Sequence, residues 1–176
     1  MSGVSAAGRA PVLEGDGVRL RPHCRSDFES LAAFYASADA RHMGGPMPPR
    51  EAWFWFASDV AQWELQGHGG WAIETPEGDF AGQIVLNAPP FFPERELGWL
   101  LFSGHRGRGL ATRAARLARG HAYRVLGWAG LVSYIKPDNA PALALAERLG
   151  ARRDPEGEPF ERGYDVYRHP GPETAA

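Results

Sequence analysis

Phe102-Ser103-Gly104-His105-Arg106-Gly107-Arg108-Gly109-Leu110-Ala111-Thr112 stands between an apolar run that reads as a buried strand and the start of a long helix. Gly107 and Gly109 let the backbone come close to a ligand. The first amides of the helix have no intrahelical acceptor and carry the positive end of its dipole. With Arg106 and Arg108 they make an anion site suited to a phosphate or pyrophosphate. The same kind of turn also serves as a plain tight connection, so the glycines alone decide nothing. There is no Gly-Lys-Ser/Thr, and the glycine spacing is not Gly-x-Gly-x-x-Gly with an acidic residue about 20 positions on. Walker-type nucleotide hydrolysis and hydride transfer fall away.

The strand before this turn is Glu96 to Phe102, nearly continuous in apolar residues, as in strands buried on both faces. The helix after it runs from about Gly109 to Leu126 and is closed by Gly127. Leu131 to Ile135 reads as a strand, which completes a β-α-β unit with its two strands parallel and side by side. Pro141 to Leu149 is a short helix stopped by Gly150, and Asp165 to Arg168 a last strand. On the N-terminal side, Trp71 to Glu74 and Phe80 to Asn87 flank Pro76-Glu77-Gly78-Asp79 as a hairpin, followed by the loop Ala88 to Arg95. Trp53, Phe56, Val60 and Trp63 fall at helical spacing after the Gly/Pro loop Met43 to Pro49, so a helix should run to about Gly67. Ser26-Asp27-Phe28-Glu29 is a capping box heading a helix with Phe28, Leu31, Phe34 and Tyr35 on one side. Val18 to Arg21, ending at Pro22, suits an edge strand. The expected fold class is α/β with α+β mixing: a central mixed, twisted sheet flanked by helices.

The chain has 176 residues, enough for one domain of roughly 150. We expect a single domain over 12–168, a disordered lead-in over 1–11 and a flexible tail over 169–176. A hydrophobic content of 44% supports a sizeable core, while the longest aromatic-aliphatic run, Ala52 to Ala57, is six residues against the roughly 20 of a bilayer span. No membrane partner is expected, and the polar start without a signal-peptide core points to the cytoplasm. Cys24 has no pairing partner and no Cys/His cluster has zinc spacing, so no metal is expected.

Between Leu97 and Pro137 there is no Asp or Glu, while six arginines and Lys136 supply seven positive charges, leaving −9 of the net −2 for the rest of the chain. That local excess favours an anionic ligand, although a solvated helix face accounts equally well for most of these arginines. Nucleic acid is not the expected anion, because the overall pI is about 6.3 and the basic helix has no interleaved aromatics.

Arg106-x-x-Gly109-x-Ala111 resembles the Arg/Gln-x-x-Gly-x-Gly/Ala signature of the GNAT superfamily of acyl-CoA N-acyltransferases. Glu96-Leu-Gly-Trp-Leu-Leu, Ile135-Lys-Pro-Asp-Asn139, Leu145-Ala-Glu-Arg-Leu-Gly-Ala151, Met43-Gly-Gly-Pro46 and Arg50-Glu-Ala-Trp53 are similar to its RimJ/RimL branch of ribosomal-protein alanine acetyltransferases. The resemblance covers about Val12 to Arg168 and implies a GNAT-like fold. It implies acetyl-CoA as co-substrate, its pyrophosphate on the loop Arg106, Gly107, Arg108, Gly109, Leu110, Ala111 and Thr112, and its pantetheine arm along Leu100, Leu101 and Phe102 where the parallel strands splay. Asn139 matches a position that often bonds the cofactor arm, and serves equally as a helix-start residue. The activity implied is direct transfer of acetyl, in a ternary complex, to a primary amine of a protein N-terminus or a small molecule.

An alkylammonium with a pKa near 10 must lose a proton to attack a thioester. Glu96 sits where the family frequently places that base, with Glu94 as a substitute in the same loop and a backbone N–H near Leu101 as oxyanion donor. The chain departs from the family in carrying Ala142 and Ala146 where a serine and a tyrosine are common. Ser133 and Tyr134 are the replacements within reach as proton donors. The departure motivates a second reading, a non-catalytic acyl-CoA-binding module. Trp53, Trp55, Trp63, Phe91, Phe92 and Trp99 read mainly as core, with Trp55, Phe91 and Phe92 the least core-like and able to line an amine groove. Exposed aromatics on the second helix would suit a homodimer. His121 shares an apolar helix face with Leu110, Leu117 and Val125, and Arg116 and Arg119 are expected in solvent.

Overall fold

The computed structural model describes residues 9–173. Eight strands among them form one sheet: β1 Leu13–Gly15, β2 Val18–Arg21, β3 Gly70–Glu74, β4 Phe80–Asn87, β5 Glu96–Leu101, β6 Val132–Ile135, β7 Arg152–Asp154 and β8 Asp165–Arg168. The order across the sheet is β1-β2-β3-β4-β5-β6-β8-β7. Neighbours are antiparallel except β5 and β6, which are parallel. The helices are α1 Asp27–Tyr35, α2 Pro49–Gln66, α3 Leu110–Arg124 and α4 Ala140–Arg148. This is the mixed sheet flanked by helices that the sequence predicts, including the parallel β5-α3-β6 unit.

Side chains alternate between the two faces of the sheet. Leu20, Ile73, Ile84, Leu86 and Leu97 are buried against Leu110, Ala114, Ala115 and Ala118 of α3, whose small residues let the helix lie close. On the opposite face α1 and α2 bring Leu31, Phe34, Tyr35, Ala52 and Phe56 onto Leu100. Between β5 and β6 only Glu96 and Val132 remain in register, so the strands part beyond that point. The gap they leave organises the site.

Several sequence expectations are corrected. Val18–Arg21 is an inner strand, because β1 folds back on it with Leu13 opposite Leu20 and takes the edge. The turn is Asp16-Gly17, both with positive φ. The capping box does not close: Ser26 already has helical backbone angles and makes no side-chain cap bond. Asp27 instead turns its carboxylate back to the Arg21 guanidinium at 2.8 and 2.9 Å and to the Cys24 amide at 2.9 Å. Charge-assisted bonds of this kind outweigh a neutral serine cap. On α2 the buried face is Ala52, Phe56, Asp59, Gln62 and Trp63, while Trp53 and Val60 are exposed.

His121 is packed edge-on to Trp63 and Trp71 as expected. Arg119, however, is buried and donates from Nη1 to Leu149 O at the end of α4, while Arg116 is exposed. Val125 is exposed because α3 ends at Arg124 and the helical spacing no longer applies. The packed chain extends past both expected limits. Ala10 is buried and Pro11 O accepts from Trp71 Nε1 at 2.8 Å. His169 is buried, and Pro170 O accepts from Tyr123 Oη at 2.7 Å, so the tail is docked at its start. The rest of the expected lead-in and tail, residues 1–8 and 174–176, lies outside the described residues.

Candidate active site

The first intrahelical bond of α3 runs from Arg113 N–H to Gly109 O at 3.2 Å, which leaves the amides of Leu110, Ala111 and Thr112 without helical acceptors. Gly107 and Gly109 have φ of 75° and 71°, left-handed values that a side chain disfavours. They turn the chain so that these amides face a cleft of about 460 Å³. Leu100, Leu101, Arg106, Gly107, Gly109, Leu110, Ala111, Thr112 and Asn139 all line it. Arg106 closes the mouth, bonding Leu101 O at 3.3 Å and pairing with Asp39 at 3.2 Å.

Two of the expected cofactor residues stand elsewhere. Arg108 points out to Glu77 at 3.5 Å, and the Phe102 ring packs against Phe80 and Phe34. Backbone alternation explains Phe102: its N–H bonds Ala81 O on the β4 side. Leu97 O and Leu101 O are bonded from the other side, by Ser133 Oγ and Arg106. With a period of two, the amide and carbonyl of Trp99 face that side as well. Trp99 and Leu101, not Leu100 or Phe102, thus turn their peptide groups into the gap between β5 and β6.

A second cleft lies on the α1/α2 side and encloses about 190 Å³, room for the amino end of an acceptor. Gln83, Val85, Asn87, Glu96, Gly98 and Leu100 alternate along β4 and β5 to form its floor. Trp55 and Asp59 of α2, Tyr35 of α1, and Phe92, Tyr134, Phe160 and Tyr164 line it from above and beside. Burial pushes Glu96 up to about 7, against the pull of the bond from Asn87 Nδ2 at 3.0 Å. Asp59 is likewise pushed up to about 7 by burial, opposed by Gln83 and reinforced by the Glu96 charge. Burial raises Tyr134 to about 12. Glu94 is not in this cleft: its carboxylate is paired with Arg168 at 2.7 and 2.9 Å. Ser133 is committed to Leu97 O and His169, whereas Tyr134 lines the cleft and accepts the Glu94 amide at 3.2 Å.

The two clefts meet. His42, Met43, Trp99, Leu100, Asn139 and Ala142 line both. Asn139 caps α4, its Oδ1 accepting the Ala142 amide at 3.3 Å, so its helix-start role is formed while it also faces both clefts. Ala142 puts a methyl at the junction, and Ala146 is fully buried beside Ile135, away from it. Asp59, Gln83, His42 and Tyr164 were not anticipated. The available signal for Asp59 is its place on the buried side of α2, three residues after Phe56 and four before Trp63: a carboxylate on an apolar face needs a reason.

A model of the acetyltransferase (GNAT) domain matches residues 18–152. An acetyltransferase from Agrobacterium tumefaciens strain C58 is 40% identical, with 92% of this chain and 95% of that one covered and a TM-score of 0.88. A putative GNAT-family acetyltransferase from Bordetella pertussis is 26% identical over 90% and 98% of the two chains, with a TM-score of 0.72. The ribosomal L7/L12 α-N-protein acetyltransferase RimL shares the fold, with a TM-score of 0.71 at 17% identity over 92% and 98%. The family model spans most of the chain, and the strand gap and open helix amides fall inside it, so this protein belongs to the GNAT family of acetyltransferases.

Proposed function

We propose that this acetyltransferase passes acetyl directly from acetyl-CoA to a primary amine in a ternary complex, and that it belongs with the RimJ/RimL-like members. The observation that carries the direct transfer is the junction: the cleft lined by the α3 amides and the cleft holding Glu96 share one wall at Trp99 and Leu100. A cofactor in the first and an amine in the second would meet there without a carrier residue.

The donor set fits the cofactor. Three helix amides at a dipole-positive end, with no side chain at Gly107 or Gly109, suit a pyrophosphate, and the peptide groups of Trp99 and the amide of Leu101, which face the gap, suit an amide-bearing arm laid as an added strand. When bound, acetyl-CoA supplies the activated thioester. The Leu101 N–H serves as donor to the carbonyl oxygen that becomes negative during attack. Glu96, titrating near neutrality, is ionised enough to take a proton and basic enough to hold it. Taking one from a free ammonium of pKa near 10 is uphill by about 3 units, about 4 kcal/mol. The ammonium therefore loses its first proton to solvent and attacks as the neutral amine, and Glu96 takes the second proton as nitrogen attacks, when the forming bond acidifies the amine. Water or the Tyr134 hydroxyl protonates the leaving thiolate.

The acceptor is an N-terminal α-amine or a small amine. A cytoplasmic location and a homodimer through the exposed α2 aromatics Trp53 and Phe54 belong to the same proposal. Thiol release from acetyl-CoA over a panel of amines and short peptides, beside calorimetric titration of CoA, tests it. Amine-dependent release that falls at least tenfold in Glu96→Gln with CoA affinity kept is the expected result. CoA binding with no amine-dependent release favours the acyl-CoA-binding module suggested by the Ala142 methyl at the junction, and absence of CoA binding overturns both readings.

A further inference from the structure

The polar side chains in the floor of the acceptor cleft are Gln83, Asn87 and Glu96, with Asp59 of α2 against them. Asn87 is fully engaged: its Nδ2 donates to Glu96, and its Oδ1 accepts from Gln62 Nε2 at 2.8 Å. Gln62 Oε1 in turn takes the Ala88 amide at 3.3 Å, which closes that chain. Gln83 is different. Its Nε2 donates to Asp59 Oδ2 at 2.6 Å, and its Oε1 is buried with no partner. Gln83 is 3% exposed and Asp59 7%, yet both line the cleft. Among the described residues Gln83 is the one hydrogen-bond partner of the Asp59 carboxylate, and no lysine or arginine pairs with it.

A buried carboxylate with a single neutral donor and a buried amide oxygen with none are complementary to a group that brings several N–H bonds and a positive charge. The strand register sets this pair apart from the base. Gln83 lies opposite Leu100, one of the residues that line both clefts, whereas Glu96 lies opposite Asn87, four residues along β4. Between them the floor carries Val85 and the side-chain-free Gly98. Lys136, the one lysine or arginine among the residues lining the cleft, is held over the Tyr164 ring at 5.3 Å, so it already has a seat.

Resting on the amine-acetylating reading above, we infer that Asp59 and Gln83 Oε1 form a second, cation-binding subsite, so that the preferred acceptor carries an ammonium or guanidinium group besides the amine that is acetylated. The chemistry is shared by free diamines and by peptides with a basic side chain near the N-terminus.

The test compares kcat/KM for 1,4-diaminobutane, 1,5-diaminopentane and agmatine with that for butylamine and pentylamine, and for Ala-Lys-Ala with that for Ala-norleucine-Ala. Wild type should favour the dicationic member of at least one set by tenfold or more, and the set that does so names the source. In Asp59→Asn, which keeps the bond from Gln83, and in Gln83→Leu, that ratio should fall toward one through KM, with CoA affinity retained. Calorimetric titration of the same diamines and peptides into the CoA-loaded protein should show the same loss. No preference in wild type, or a preference unchanged in both variants, overturns the subsite. If no amine is turned over, acetyl transfer to amines fails while the titration still decides the subsite: tighter dication binding that Asp59→Asn abolishes supports it, and equal binding overturns it.

Discussion

Asn87 and Glu96 face each other across the β4–β5 pair, and Asn87 Nδ2 donates to Glu96 Oε2 at 3.0 Å. This bond favours the charged carboxylate, while burial favours the neutral one and prevails, leaving Glu96 at about 7. The rate should therefore rise with pH along an acid limb near 7, read as kcat/KM against pH. Asn87→Ala removes a bond to the charged form and should move the limb up by about one pH unit. Glu96→Gln should abolish the limb and lower kcat by at least about tenfold. A limb that stays put in Asn87→Ala would mean that another group is titrating.

Asp59 makes an opposite demand on stability. The isolated group titrates at 3.8 and the folded one at about 7, so the native state binds its proton more tightly than the unfolded chain does. The associated stability is complete below about pH 4 and is lost as pH rises to about 7. Above that the cost is at most about 4 kcal/mol, three units at 1.36 each. Asp59→Asn should unfold like wild type at pH 4 and be about 2–4 kcal/mol more stable at pH 8 in urea titrations. Equal stability at pH 8 would show that the carboxylate is ionised at little cost. A residue retained at such cost is what a binding role predicts.

The start of α1 offers a direct comparison between a motif and a structure. Asp27 is buried between Arg21, His23 at 3.1 Å and the Cys24 amide, and these contacts hold its carboxyl far below the usual range. Its contribution is present above about pH 4 and is lost as pH falls below that. Asp27→Ala should cost about 2 kcal/mol at pH 7, since it removes the buried acceptor shared by Arg21, His23 and the Cys24 amide, while Glu74 still pairs with Arg21 at 2.8 Å. Ser26→Ala should cost less than about 0.5 kcal/mol because no cap bond exists to lose. A capping box in solution would reverse that ranking in denaturant melts.

What could be read from the sequence divides along physical lines. The β5-α3-β6 unit was legible because its signals are local and mutually consistent: an apolar strand, a glycine turn, then helices closed by Gly127 and Gly150, whose φ values are 66° and 77°. The β1–β2 turn was equally local, since Asp16-Gly17 is a strong hairpin pair, and it went unread because the flanking strand is only three residues long. Arg119 and Asp59 were beyond local reading. Arg119 is buried by the α4 carbonyl it caps, thirty positions away, and Asp59 by Gln83 on a strand twenty-four positions on. The proposed cofactor loop is legible in the sequence because its case rests on backbone amides, which glycines announce. The acceptor floor was missed because its polar groups sit singly within apolar strands and become a set only through register.

Two glycines, Gly98 in that floor and Gly82 of the neighbouring strand outside it, should respond differently to the same methyl group. At Gly98 an added Cβ would lie 3.0 Å from Val85 Cγ1 and 3.6 Å from Glu96 Oε2, contacts that a valine side chain can relieve. Gly98→Ala should cost about 1 kcal/mol in stability and leave CoA affinity unchanged. It fills the floor between Glu96 and Leu100, so KM for the amine should rise about tenfold. At Gly82, with φ of 154°, the Cβ would lie 2.2 Å from Leu100 O and 2.9 Å from Leu101 Cα, which are backbone atoms with nothing flexible to yield. Gly82→Ala must displace β5 and should cost about 3 kcal/mol or more. Because Leu101 turns its peptide into the cofactor gap, CoA affinity should fall with stability in that variant alone. Thermal unfolding and CoA calorimetry on the pair distinguish the outcomes: loss of CoA binding in Gly98→Ala would place the cofactor arm over the acceptor floor instead of in the β5–β6 gap.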